Sequence, residues 1–196
     1  MPKFSHASII HQSAPTNNCG LHVIIMNTSQ IFCVLETNRI TAATFQGVYS
    51  SDTVPSFNTF PAGCVVNTDP QSKPGTHWVA LYQEQEGIIE TFDSFGKDLL
   101  FYSPYFEKLA NSHRVISQSH QLQSEITTVC GQYCLFFLLR RRSNETYSQI
   151  IHLFTENKAS NDIMVCQYVN HYFDLNTEVQ DKRFFNQVAK MFAELK

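Results

Sequence analysis

The sequence has no surplus of positive charge. Fourteen lysines and arginines against 17 aspartates and glutamates leave a net charge of −3, which argues against a broad nucleic-acid-binding surface built from clustered basic side chains. It has no long hydrophobic run: the stretch 21–35 is interrupted by Asn27, Ser29 and Gln30 and is too short to cross a bilayer, so no membrane association is expected. Paired cysteines are missing as well. The six cysteines, at positions 19, 33, 64, 130, 134 and 166, form no disulfide framework, and no signal-peptide pattern opens the sequence. Free thiols in a reducing, intracellular compartment are expected. Metal-ligand spacing is lacking too. His6, His11, Cys19 and His22 are irregularly placed, Cys64 follows Gly63 without a partner, and Cys130 and Cys134 stand one helical turn apart without a second pair. Neither a metal nor another cofactor is expected. There is no internal repeat and no low-complexity tract.

What is present is a globular composition. The 196 residues are 43% hydrophobic and 13% aromatic, with 16 phenylalanines, enough for one domain with a substantial core. Residues 1–42 show no sustained period and read as an N-terminal extension; the patterned domain is expected over 43–196. A short strand is predicted from Phe45, then a turn ending at Pro55, a buried strand over 62–68, and a loop of turn-forming residues over 69–75. Two further strands, 76–82 and 88–93, flank a five-residue connection containing Gly87, a hairpin signal. If that connection is symmetric about Gln85, His77 stands directly opposite Asp93 on one face, with Cβ atoms roughly 4.5–5.5 Å apart. A bulge of one residue would separate them. Ser103-Pro104 opens a short helix to about Leu109, and a strand is predicted over 114–117. Three amphipathic helices are expected over 146–154, 161–173 and 182–195.

The stretch 123–140, QSEITTVCGQYCLFFLLR, is the centre of this organisation. A polar, turn-prone segment runs into an apolar run of the kind found in a helix buried on all sides. Thr127 and Thr128 are candidate N-caps. Cys130 then sits at the helix start, where the positive end of the helix dipole favours a thiolate, and Gly131 is read as room for a substrate backbone. A thiol at a helix start, a histidine beside a carboxylate and the side-chain amide of Gln123 together form the parts list of thiol proteolysis. Histidine takes the thiol proton, a carboxylate orients the imidazole, and the Gln123 amide with the Cys130 backbone N–H stabilises the oxyanion.

Val66-Asn67-Thr68, Gly75-Thr76-His77-Trp78, Phe92-Asp93-Ser94-Phe95-Gly96 and Gln123 followed by Cys130-Gly131 resemble, in order, spacing and residue type, the motif series of the adenovirus-type cysteine proteases, the adenain family. They most resemble its relatives carried by Polinton (Maverick) transposons and adintovirus-like elements. The motif series covers about residues 44–140, and the tail with Asn161-Asp162 also resembles those relatives. The resemblance implies an α+β fold shared with SUMO-specific proteases: a mixed sheet packed on a buried helix that begins at the catalytic cysteine, with helices C-terminal to it. It implies His77 as base, Asp93 as orienting acid, Gln123 as oxyanion donor, Cys130 as nucleophile, and Trp78 and Gly131 as substrate-binding residues. Two departures stand out. Asp93 replaces the glutamate of the adenovirus enzyme, and 111–122 holds no cysteine for a disulfide-linked activating peptide. With the acidic balance of the chain, activation by a peptide or by DNA is not supported. The expected function is an endopeptidase cleaving capsid-type precursor polypeptides at Gly-containing sites. Deconjugation of SUMO or another ubiquitin-like protein is the alternative, and an inactive, domesticated binding module the second. A monomer is expected, and the resemblance implies an intracellular location, in the nucleus or in a virion or virus-like particle.

Overall fold

The computed structural model describes residues 26–173. Helix α1 (Thr28–Thr37) precedes strands β1 (Phe45–Ser50), β2 (Ala62–Asn67), β3 (Trp78–Gln85) and β4 (Ile88–Phe92). A short helix α2 (Leu99–Tyr102), a 3-10 turn (Pro104–Phe106) and α3 (Glu107–Ser112) lead to β5 (Arg114–Ile116). Helices α4 (Cys130–Arg142), α5 (Tyr147–Ile151) and α6 (Lys158–Phe173) follow. The expected helix over 182–195 lies outside the described residues. Among the described residues, no helix is long and apolar enough to cross a membrane.

The strands form one mixed sheet in the order β1-β2-β3-β4-β5. The two inner pairings are antiparallel and the two edge pairings parallel. Strand residues alternate between two cores, as the period of two requires. Val65, Ala80, Tyr82 and Phe92 pack with α1, α4 and α6 on one face. Cys64, Val66, Val79, Leu81 and Ile89 pack with Leu99 and Phe106 on the other. Strand β2 is buried along its whole length because both its faces are covered. The apolar run of α4 is explained by its position: residues 131–139 are all buried, and the Phe137 ring lies parallel to Phe92 at 4.6 Å.

Three expectations need correction. The β3–β4 hairpin turns on only Glu86-Gly87, with Gly87 at φ +79°, because a glycine that accepts positive φ permits a tighter turn than five residues. A register shift between Tyr82 and Gln85 follows, and Ala80 pairs with Phe92. His77 is therefore a diagonal neighbour of Asp93 rather than its opposite. The displacement is two residues, so both remain on one face, and a diagonal separation of roughly 7–8 Å is within reach of their side chains. The helix expected from Ser103 to Leu109 is instead broken into a 3-10 turn and α3, with α2 before it. Finally, 26–37 is not unpatterned: α1 opens on a capping box between Asn27 and Gln30 and places Ile31 and Leu35, both fully buried, in the main core.

Candidate active site

The start of β3 and the end of β4 meet at one rim of the sheet, and the N-terminus of α4 arrives at the same place. His77 Nε2 lies 2.6 Å from Asp93 Oδ1, and both residues are buried. Cys130 lies beside the same imidazole and interacts with it; with Nε2 taken by Asp93, Nδ1 is the ring nitrogen left for that partner. The ring is also flanked by Phe95 at 4.9 Å and Tyr102 at 5.3 Å between centroids. Burial alone would lower the imidazole pKa. Its bond to Asp93 and the charge of that carboxylate, with the interaction with Cys130, outweigh burial and raise it to about 9.

Asp93 is held from several sides. Its Oδ1 also accepts the Phe95 N–H at 3.0 Å, and its Oδ2 accepts the Lys97 N–H at 2.7 Å and the Tyr102 hydroxyl at 2.9 Å. Gly96 makes this wrap possible. It sits at φ +65°, and a β-carbon there would lie 2.5 Å from the His120 carbonyl oxygen, so no other residue fits without a shift. Burial would raise the Asp93 carboxyl pKa, but the bond and charge of His77 and the two backbone N–H groups hold it below its ordinary value. The Gln118 amide donates to the Asp93 carbonyl, and Tyr147 donates to Gln118.

Gln123, 1% exposed, has its amide fixed at both ends. Oε1 accepts the Ser94 hydroxyl at 2.7 Å, and Nε2 donates to the Thr127 carbonyl at 2.8 Å. A carbonyl can only accept, which sets the orientation of the amide. Neither Thr127 nor Thr128 caps α4. Val129 occupies the N-cap without a side-chain bond, and the Thr127 hydroxyl, two residues earlier, donates to Asp162 at 2.9 Å. The Cys130 backbone N–H, the first of α4, has no acceptor within the helix.

Cys130, His77, Trp78 and Gln123 line one open cleft of about 620 Å³, together with Met26, Tyr49, Asn67, Gly75 and Thr128 among others. Trp78 lies in the wall and donates its indole N–H to the Met26 carbonyl at 3.1 Å. Gly131 does not line the cleft. Its open side is filled by α1 and the residue before its cap, and a β-carbon would sit 3.0 Å from Met26 Cβ and 3.4 Å from Ile31 Cδ1. The substrate-binding reading of Gly131 is therefore replaced by helix packing. Cys130 is half-buried, whereas Cys33, Cys64, Cys134 and Cys166 are buried. Burial pushes the Cys64 and Cys134 thiols far up and Cys166 to about 11. Among the described residues, no group of three His, Cys, Asp or Glu side chains is arranged to hold a metal ion.

Sequence reasoning missed Tyr102 and Thr127 as an anchor, and it noted Ser94 and Asn161-Asp162 only as parts of resembling motifs, without the contacts they make. Ser94 stood inside a quoted motif, and its neighbour Asp93 was the signal that could have led to it.

No protein-family profile matches the chain. A cysteine protease of African swine fever virus is 31% identical over 105 residues, covering 48% of this chain and 38% of the viral protein. The corresponding protein of another isolate, described as a SUMO-1 cysteine protease, is 30% identical over the same shares. The match spans well under half the length of these relatives. The crystal structure of the ASFV pS273R protease superposes with a TM-score of 0.52 at 21% identity, over 82% of this chain and 70% of that one. The two share a fold. That fold is of the SUMO-protease-like type, a five-stranded mixed sheet with helices on both sides.

Proposed function

We propose that this chain is a cysteine-type endopeptidase working through a thiolate–imidazolium pair of Cys130 and His77. The observation that carries the reading is a buried imidazole bonded on one nitrogen to Asp93 and set beside the cysteine that opens a buried helix, inside a cleft. The Cys130 proton passes to His77, and the sulfur adds to the carbonyl carbon of the scissile peptide bond. The resulting oxyanion takes hydrogen bonds from the Gln123 amide, whose Nε2 also donates to the Thr127 carbonyl and more weakly to its hydroxyl, and from the Cys130 backbone N–H. One such donor is worth about 2.7–4 kcal/mol in the transition state. The C–N bond then breaks as the imidazolium proton moves to the leaving amine. Water, giving its proton to His77, hydrolyses the thioester and restores the thiol. Asp93 keeps Nε2–H oriented and stabilises the cation.

The likeness to viral cysteine proteases supports this reading. The substrate class we propose is a polypeptide precursor of the capsid type, cut at Gly-containing sites, in keeping with the adenain and Polinton resemblance. The name of one relative, a SUMO-1 cysteine protease, favours a second reading, removal of a ubiquitin-like modifier. Incubating wild type and Cys130→Ala with Gly-containing peptides and with ubiquitin-like precursors separates them. Cysteine-dependent cleavage of peptides alone supports the first reading, and cleavage requiring the folded modifier supports the second. Equal behaviour of wild type and Cys130→Ala overturns both.

A further inference from the structure

The amide of Gln123 sits in a loop, residues 117–129, that has neither helix nor strand, yet an oxyanion donor must be held in a fixed direction. One of its two anchors, Ser94, lies in the turn directly after β4. The other, the Thr127 carbonyl, belongs to the loop itself, so the amide is only as well placed as Thr127. What holds Thr127 comes from far along the chain. Asp162, on α6 and 6% exposed, accepts the Thr127 hydroxyl on Oδ2 at 2.9 Å and the Tyr133 hydroxyl on Oδ1 at 2.9 Å. The Ser124 N–H points at the same carboxylate from 3.3 Å. Thus one side chain ties both sides of the turn that follows Gln123, and the second turn of α4, to α6.

Asn161 secures the loop one residue before Gln123. Its Nδ2 donates to the Leu122 carbonyl at 3.0 Å and to the Thr155 carbonyl at 2.9 Å, while its Oδ1 accepts the Thr155 N–H at 2.9 Å. Among the described residues no cation pairs with Asp162; its partners are hydroxyls and a backbone N–H. A carboxylate taken out of water without a counter-charge is unfavourable unless such donors surround it, and here these donors belong to the loop that carries Gln123 and to the helix that carries Cys130.

We propose that Asp162 is a positioning residue for the oxyanion donor: through Thr127 it sets the direction of Gln123 Nε2, with Asn161 fixing the loop at Leu122. The inference rests on the peptidase reading above and assigns a role to an α6 residue that touches neither substrate nor nucleophile.

The test compares wild type, Asp162→Asn, Thr127→Val, Gln123→Ala and the double variant Gln123→Ala/Asp162→Asn. The readouts are turnover on one peptide, inhibition by a peptide aldehyde, and alkylation of Cys130 by iodoacetamide. An aldehyde adds the thiol and leaves an oxygen where the oxyanion forms, so it reports the amide; alkylation reports only the thiol. Asp162→Asn is expected to lower turnover and aldehyde affinity about 10- to 100-fold, below the loss for removing a donor outright. KM and the alkylation rate should stay within about twofold. Thr127→Val should act in the same direction, and Asp162→Asn should add little in the Gln123→Ala background. An equal loss in both backgrounds, or a parallel fall in alkylation, makes Asp162 merely structural and overturns the inference. Unchanged aldehyde affinity in both Asp162→Asn and Thr127→Val overturns it as well, leaving the peptidase reading intact. Wild type that neither cleaves nor binds the aldehyde overturns both together.

Discussion

Asp93 accepts hydrogen bonds from an imidazole, a phenol and two backbone N–H groups. Only the first is chemistry; the others hold the carboxylate where that bond can form. Asp93→Asn keeps an acceptor oxygen and removes the charge that raises His77. The alkaline limb of the rate–pH profile, expected near the raised His77 pKa of about 9 in wild type, should move toward the ordinary histidine value of about 6.5. Turnover should fall while KM changes little, as checked by steady-state rates between pH 5 and 10. Asp93→Glu brings the residue of the adenovirus pattern into a cage fitted to a shorter side chain, and a loss of turnover is expected there too. At this scale His77, Asp93, Gln123 and Cys130 were legible because each carries its own chemistry inside a short motif. The contacts of Ser94, Tyr102 and Asp162 were not, because nothing in a sequence marks which distant backbone or hydroxyl a common polar residue will meet, even where, as with Ser94 and Asn161-Asp162, the residues stand in a resembling motif. The pairing of His77 with Asp93 was predicted for the right face and the wrong register: parity survives a shift of two residues, whereas the exact opposite does not.

Helix α1 shows where element-level reading failed. Ile31, Phe32, Cys33, Val34 and Leu35 form a continuous apolar run, which carries no amphipathic period and so resembles a broken strand as much as a helix. The Asn27–Gln30 capping box was the available signal. Since Ile31 is fully buried against α4, Ile31→Ala is expected to destabilise the domain by about 2–5 kcal/mol, measured by urea unfolding. A value near zero would make α1 an appendage. Gly96→Ala strains a left-handed residue and drives a methyl into the His120 backbone. A stability loss of about 1–3 kcal/mol is expected, with activity falling because the Asp93 turn must open. The central helix was legible throughout its length, since burial on every side leaves an unbroken apolar run. Its cap was not, because Thr127 is held by α6, a contact beyond local sequence.

For the molecule as a whole, the His77–Asp93 pair links stability to pH. The His77 pKa is raised, so its contribution is fully present below about 6.5 and is lost as pH rises through about 9. That of Asp93 is lowered, so its contribution is present above the ordinary carboxylate range and lost as pH falls through its folded value. Thermal unfolding followed from pH 4 to 10 should show a plateau with a fall on the alkaline side, and that fall should be absent from His77→Ala. The fold class was legible because strands and a buried helix each leave a period of their own; the way α6 reaches back to the site was not. The central claim is that Cys130 and His77 act as one reactive pair. It is tested most directly by alkylating wild type and His77→Ala with iodoacetamide at pH 6 and mapping the modified residue. The account predicts rapid, single-site modification of Cys130 in wild type, loss of activity in step with it, and reaction at least about tenfold slower in His77→Ala. Equal rates in the two proteins, or preferential modification of Cys134 or Cys166, would contradict it.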